Sequence, residues 1–312
     1  MESQPSFRRI GAGFCGTVWA LMPSDTVLQG DAFKREDGGP GRSLKKEFKM
    51  HKIILNAMEQ YQKTPPVSIP RCHQFIDPED AWWTENLEKF PHGYSPCNTI
   101  RSDRIPPVGE PTRELLIEKF CPAPLISEIK ASDVNRDCLI RLYLGRCRFS
   151  SRPKSPFMAF SLRNFPLHLD QMQELEIPPA DLLTYSHLMA ETLAILHWIG
   201  KTDANDVEFV LAPPRNNSKS TVISNCLGEH TLWILDFDCC NDISLDSQGV
   251  DQAVRAFVKN DPFYPRPTSS LDLWSAFRLR YIETSNNILE GAADKSLLEL
   301  PVRFINAVEA AF

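Results

Sequence analysis

The spacing of apolar residues along the chain changes period several times, and each change predicts an element. Near the start, Phe7 to Ile10 leads into a glycine-spaced segment, Gly11-Ala12-Gly13-Phe14-Cys15-Gly16. After it, Thr17-Val18-Trp19-Ala20-Leu21-Met22 is a β-branched and aromatic run. That order predicts strand, glycine turn, strand. A turn at Pro23-Ser24-Asp25 precedes a further strand over Asp31 to Glu36. Gly38-Gly39-Pro40-Gly41 then breaks the chain, and Ser43 caps a helix on which Leu44, Phe48, His51, Leu55 and Met58 recur at three- and four-residue steps. Residues 64–114 are rich in proline and aromatics and predict strands joined by elaborated loops, and Glu114 to Pro122 predicts a buried strand running into proline. Between 138 and 177 the pattern predicts a strand pair leading into a helix. Pro178-Pro179 opens the clearest helix, with Leu182, Tyr185, Met189, Leu193 and Leu196 as its core stripe and Gly200 as its stop. His197 near its end suits packing or capping. Short apolar strands follow at Phe209 to Leu211 and Thr231 to Leu235, separated by a loop from Ala212 to Gly228. Three helices close the chain, at 249–259, 270–289 and 294–311, with Trp274, Phe277, Tyr281 and Ile288 suited to a buried stripe.

Composition narrows the possibilities. A chain of 312 residues exceeds the usual single-domain size and predicts two units. Its net charge of -6 supplies no basic field, which disfavours a nucleic-acid partner. No apolar run reaches membrane-spanning length, and the N-terminus lacks the basic-then-apolar order of a secretory signal. Nine cysteines, an odd number without regular spacing, fit reduced thiols in a cytosolic (cytoplasmic or nuclear) protein. Cys72, His73, His92 and Cys97 invite a zinc site, but their spacings match no ordinary pairing of zinc ligands.

The candidate chemistry lies in five places. Gly11, Gly13 and Gly16 have the G-x-G-x-x-G spacing that lets backbone approach phosphates. In a dinucleotide-binding fold the third glycine opens a helix; here it opens a strand, with Val18 two places on to cover a base. Lys34 carries a compact ammonium suited to α- and β-phosphates, and equally suits a solvated strand position. Glu47 stands in the first turn of its helix, where a carboxylate also favours the helix dipole. The loop Asp203-Ala204-Asn205-Asp206-Val207-Glu208 and the strand end Asp236-Phe237-Asp238 add carboxylates of the kind that hold hard cations. Arg141, Arg146 and Arg148 suit either an anionic substrate or the solvent face of a hairpin, and Tyr264 and Arg266 either a substrate mouth or a proline-braced packing loop.

In this order, and on these elements, the five places resemble the protein-kinase-like superfamily, closer to its aminoglycoside phosphotransferase and choline kinase branch than to protein kinases. Nearly the whole chain also resembles a fungal family of kinase-like proteins often labelled zinc-finger proteins without an evident finger. Phe7 to Trp19, Asp203 to Leu211, Leu235 to Cys240 and Asn260 to Pro267 carry that likeness. The resemblance implies an α+β, two-lobed fold: a small β-rich lobe over residues 1–122 and a larger, mainly helical lobe over residues 123–312. It implies that Gly11, Gly13, Gly16, Val18 and Lys34 hold ATP, with Glu47 paired to Lys34. Backbone groups from Glu118 to Cys121 would read the adenine, Asp203 would act as base, and Asp236 and Glu208, with Asp238 beside them, would bind Mg²⁺. Three departures stand out: no His-Arg precedes Asp203, Glu208 replaces an asparagine and Asp238 a glycine. The expected function is phosphoryl transfer to a hydroxyl of a small metabolite, with no nucleic-acid or membrane partner. Two alternatives stay open: a non-phosphoryl enzyme of fungal secondary metabolism (isomerase, epimerase or cyclase) on the same scaffold, and a catalytically silent, pseudokinase-type binding protein.

Overall fold

A computed structural model describes residues 6–22, 30–61, 65–148, 159–215, 220–291 and 293–312. The turn expected at Pro23-Ser24-Asp25 and parts of the loops expected near 150 and 217 lie outside them. The described residues form a mixed α/β structure with two five-stranded sheets and nine α-helices.

The first sheet is antiparallel, in the order β1-β2-β3-β5-β4. Its strands are β1 (Ser6–Ala12), β2 (Thr17–Met22), β3 (Asp31–Arg35), β4 (Cys72–Ile76) and β5 (Thr99–Asp103). Strand alternation explains its two faces. Phe7, Trp19 and Phe33 join Trp83 and Phe90 in an aromatic core on one side, and the Arg35 guanidinium lies over the rings of Trp83, Phe90 and Tyr94. Val18 and Lys34, one residue away along the same strands, line a cleft instead. Helix α1 (Leu44–Tyr61) follows β3, and its buried residues run Leu44, Glu47, Met50, His51, Ile54, Ala57, Met58. Phe48 and Leu55, expected in the buried stripe, are only half-buried, and Glu47 takes a place on the inner face.

Helix α2 (Trp82–Asn86) packs behind the first sheet. After β5 a linker reaches α3 (Glu110–Phe120), which replaces the buried strand expected over Glu114 to Pro122. A short apolar run such as Leu115-Leu116-Ile117 cannot by itself separate strand from buried helix. Pro111 in the first turn, with Glu110 at the N-terminal end and Lys119 in the last turn, settles it for the helix. Helix α4 (Ile126–Ala131) leads to the second sheet, in the order β7-β6-β8-β10-β9. Its strands are β6 (Ile140–Tyr143), β7 (Phe165–His168), β8 (Glu208–Ala212), β9 (Ile223–Asn225) and β10 (Gly228–Leu235), with β6 and β7 parallel and the rest antiparallel.

The remaining helices are α5 (Leu169–Glu174), α6 (Pro179–Trp198), α7 (Ser247–Lys259), α8 (Leu271–Leu289) and α9 (Leu300–Ala311). Helix α6 is central and mostly apolar, buried over most of its length, with its first turn and Leu183 reaching the surface. It joins α8 through Trp198 Nε1 donating to Ser285 Oγ (2.7 Å) and through His197 Nδ1 and the Tyr281 hydroxyl (2.8 Å). His197 is therefore a packed core histidine. The inner face of α1 shares this main core, and Ser68 exchanges backbone hydrogen bonds with β10, Ser68 N to Leu232 O and Ile234 N to Ser68 O. The two sheets are thereby fixed on either side of one cleft.

Candidate functional site

The cleft encloses about 1080 Å³ including its open mouth. At its centre is Lys34, which the alternation of β3 turns away from the aromatic core. Its ammonium donates to Glu47 (2.9 Å) and to Asp236 (2.8 Å), thirteen and 202 residues along the chain. Asp236 follows β10 in the left-handed region, φ 66, which turns the chain sharply where the strand ends. Burial alone would lower the pKa of Lys34, but the two carboxylates outweigh it and keep the ammonium charged. Burial likewise pushes Asp236 up, and Lys34 outweighs it, holding the carboxyl below its usual range. Glu47 is carried up to about 7 by burial, against the pull of Lys34.

The glycine turn lies over this group. Gly13 N donates to Gly16 O (2.8 Å), and the turn is braced from outside by Gly38 N to Cys15 O (3.1 Å) and Gly39 N to Phe14 O (2.8 Å). Gly16 has no room for a side chain, since a Cβ there would lie 1.9 Å from the Arg35 carbonyl oxygen. Gly13 faces open space, and Gly11 sits against Val18. Gly11, Gly13, Gly16 and Val18 all line the cleft, with Ala32, Ile100, Ile105, Leu139 and Leu235 as its apolar walls.

Glu118 and Cys121 lie on and just after α3 and do not line the cleft. The backbone edging it is the linker after β5. There Arg104 N is committed to Gly30 O (2.8 Å) and Val108 N to Cys138 O (2.9 Å), while Pro106 and Pro107 have no N–H. Of the two donors that remain in this linker, Ile105 N and Gly109 N, Ile105 belongs to the cleft lining.

Asp203 is brought to the loop after α6, but its carboxylate accepts four hydrogen bonds: from Asn205 N (3.1 Å), Asn241 N (2.9 Å), Asn241 Nδ2 (3.0 Å) and Gln252 Nε2 (2.8 Å). It is 4% exposed and serves in this arrangement as a staple of the loop. Asp206, three residues on, has a half-exposed side chain. Glu208 lines the cleft, paired with Arg141 of β6, and burial carries it up to about 7 against the arginine's pull. Asp238 is buried and accepts from Arg42 (2.7 Å), whose other nitrogen reaches Asp206 (3.4 Å). Arg42 and Arg141 are the site residues that pattern reading left undecided or unnoticed. Arg141 had an ambiguous signal in its basic segment, and Arg42, beside a glycine cluster, had none.

Two groups among the described residues bring ligand atoms together: Asp31, His73 and Asp103 on the first sheet, and Asp206, Asp238 and Cys239 below the cleft. Each already holds arginine. Asp103 pairs with Arg215 and Asp31 with Arg101, while Arg42 contacts all three residues of the second group. Cys72, His73, His92 and Cys97 do not converge among the described residues.

A family model described as zinc finger protein matches residues 232–293, about a fifth of the chain. The matched span holds two adjacent cysteines, Cys239 and Cys240, and no histidine, short of the four ligands a structural zinc site uses. Comparison with curated proteins gives no match, and comparison with solved structures gives none. The resemblance to the protein-kinase-like superfamily, and to a kinase-like fungal family within it, is therefore corrected: the family model that matches is a zinc finger protein family, and no kinase-like family is found.

Proposed function

We propose that the cleft binds a purine nucleoside triphosphate with Mg²⁺ and transfers its terminal phosphoryl group to a hydroxyl of a small metabolite. The observation that carries this reading is the Lys34 ammonium held between Glu47 and Asp236 beneath the glycine turn. A fixed, charged lysine beneath a turn with open space at Gly13 suits a phosphate chain. The apolar walls suit a flat base, and Ile105 N–H in the linker replaces Glu118 to Cys121 as its reader. On this reading the molecule has two lobes that part at the linker after Asp103, earlier than residue 122.

The donor set suits a hard cation at one position. Asp236 is ionised and faces the cleft, so it would hold Mg²⁺, which when bound neutralises phosphoryl charge. Glu208, turned to Arg141, suits that role less. With the oxygens of Asp203 filled, the loop carboxylate left to take the hydroxyl proton on this reading is Asp206, half-exposed and held by Arg42, which it would have to leave to do so.

That saturation favours a second reading, in which nucleotide binds without transfer. The two separate in one series. ATP, tested by thermal shift with and without Mg²⁺, is expected to raise the melting temperature by several degrees at saturation, and Lys34→Met to abolish the rise. No response to ATP overturns both readings. A response with no phosphoryl transfer to a panel of hydroxylated metabolites, and none to water, selects the silent one.

A further inference from the structure

Arg141, which sequence pattern alone leaves between an anion site and a solvent face, lines the cleft from the second sheet, as Lys34 does from the first. Its terminal nitrogen donates to Glu208, while its Nε is buried with no acceptor. A guanidinium presents five donors in a rigid fork, and a buried N–H left unmatched has a cost that a bound acceptor removes. The carboxylate that holds Arg141 is Glu208, largely buried and itself part of the cleft wall. Arg141 lines the same cleft as Asp236 and adds its charge to that of Lys34 in holding the carboxyl ionised.

We propose that Arg141 is an anion receptor of the cleft, a binding residue for the oxygens of a phosphate or carboxylate group, and that Glu208 is its positioning residue rather than a metal ligand. The inference deepens the nucleotide reading but stands on separate atoms. In that reading two fixed cations, one per sheet, share the cleft with Asp236, and an anionic group spans them. The anion has two possible sources, the phosphate chain of the nucleotide or an anionic group on the second substrate.

The test measures binding of inorganic tripolyphosphate and of adenosine by calorimetry at pH 8 in EDTA. The proteins compared are wild type, Arg141→Met, Arg141→Lys and Glu208→Gln. Tripolyphosphate is expected to bind wild type and to bind Arg141→Met at least tenfold more weakly, with Arg141→Lys between them and adenosine unchanged throughout. Glu208→Gln keeps an acceptor for the guanidinium but removes its counter-charge, so it is expected to bind tripolyphosphate several-fold tighter. A merely structural role for the pair would not produce that gain, and this variant remains decisive if Arg141→Met fails to fold. Wild-type affinity in folded Arg141→Met, or no gain in Glu208→Gln, overturns the proposal. If ATP binds wild type and Arg141→Met equally, the anion receptor falls while the nucleotide reading stands; if tripolyphosphate binds through Arg141 but ATP and adenosine do not bind, the reverse holds. Tripolyphosphate displaced by ATP assigns the receptor to the nucleotide. Arg141-dependent binding of inorganic phosphate to ATP-saturated protein assigns it to the second substrate.

Discussion

At the scale of single residues, the glycines of the first turn divide by what surrounds them. Gly16 is walled in by the Arg35 carbonyl and by Asp37, whereas Gly13 has nothing within 4 Å. Gly16→Ala must displace backbone, and is expected to lower stability by about 2 kcal/mol or more, read from urea unfolding. Gly13→Ala is expected to leave stability within about 0.5 kcal/mol. Any loss of ATP affinity in Gly13→Ala then belongs to the approach of ligand to backbone, a separation that a simple glycine motif cannot make. Histidines give a second residue-level prediction. His197 and His51 are buried, and burial lowers them to about 3 and about 4. Both stay neutral in the folded protein from pH 6.5 down to about 5, while the unfolded chain takes up protons near 6.5. Stability therefore falls as pH drops from about 6.5 toward 4, at up to about 1.4 kcal/mol per pH unit for each group. His197→Phe, among the rings of Tyr281 and Phe304, is expected to flatten that slope between pH 6.5 and 5; an unchanged slope in denaturant titrations would remove His197 from the account.

Among elements, the loop between α6 and β8 is held by Asp203 rather than exposed by it. Its carboxylate ties the loop to Asn241 after β10 and to Gln252 on α7. Asparagine in its place would set one N–H₂ against existing donors. Asp203→Asn is thus expected to cost about 1–3 kcal/mol and lower the melting temperature, while ATP-induced stabilisation persists. Wild-type stability with lost turnover would instead restore Asp203 as a base. The same loop shows what the sequence can disclose. The spacing from Asp203 to Glu208, and the acid-aromatic-acid end of β10, were visible as pattern. Whether a given carboxylate faces the cleft or a neighbouring amide depends on Asn241 and Gln252, which carry no signal of their own. The glycine turn, Lys34 on β3 and Glu47 in the first turn of α1 were legible because each follows from local period and punctuation. Helix α3 was not, because a three-residue apolar run sits equally well in strand or helix until its ends are weighed. Arg141 was undecided for a related reason: a basic residue on a strand declares its face only when the partner sheet is known.

Across the whole molecule, closure of the cleft rests on contacts between residues far apart in the chain, and beside Lys34–Asp236 one of them is the pin made by Arg42. Its guanidinium pairs with buried Asp238 and with Asp206, while the Phe14 ring of the glycine turn, 62% exposed, lies 5.4 Å from its centre. One side chain thus couples the turn above the cleft to the carboxylates below it. Removing Arg42 leaves Asp238 charged, buried and without its cation, so Arg42→Ala is expected to cost about 3 kcal/mol. Asp238→Asn, which leaves the arginine able to reach Asp206 and water, is expected to cost less. Because the two losses share one contact, the double variant should be more stable than their sum predicts, with a coupling energy of about 1 kcal/mol or more by urea unfolding. Additive losses would show that the pair contributes nothing of its own. The pin also predicts a change at a distance: with Arg42 gone, amide exchange at Gly13 to Gly16 should quicken while exchange in the α6 core stays the same, because the turn loses its anchor to the second sheet and the core loses nothing.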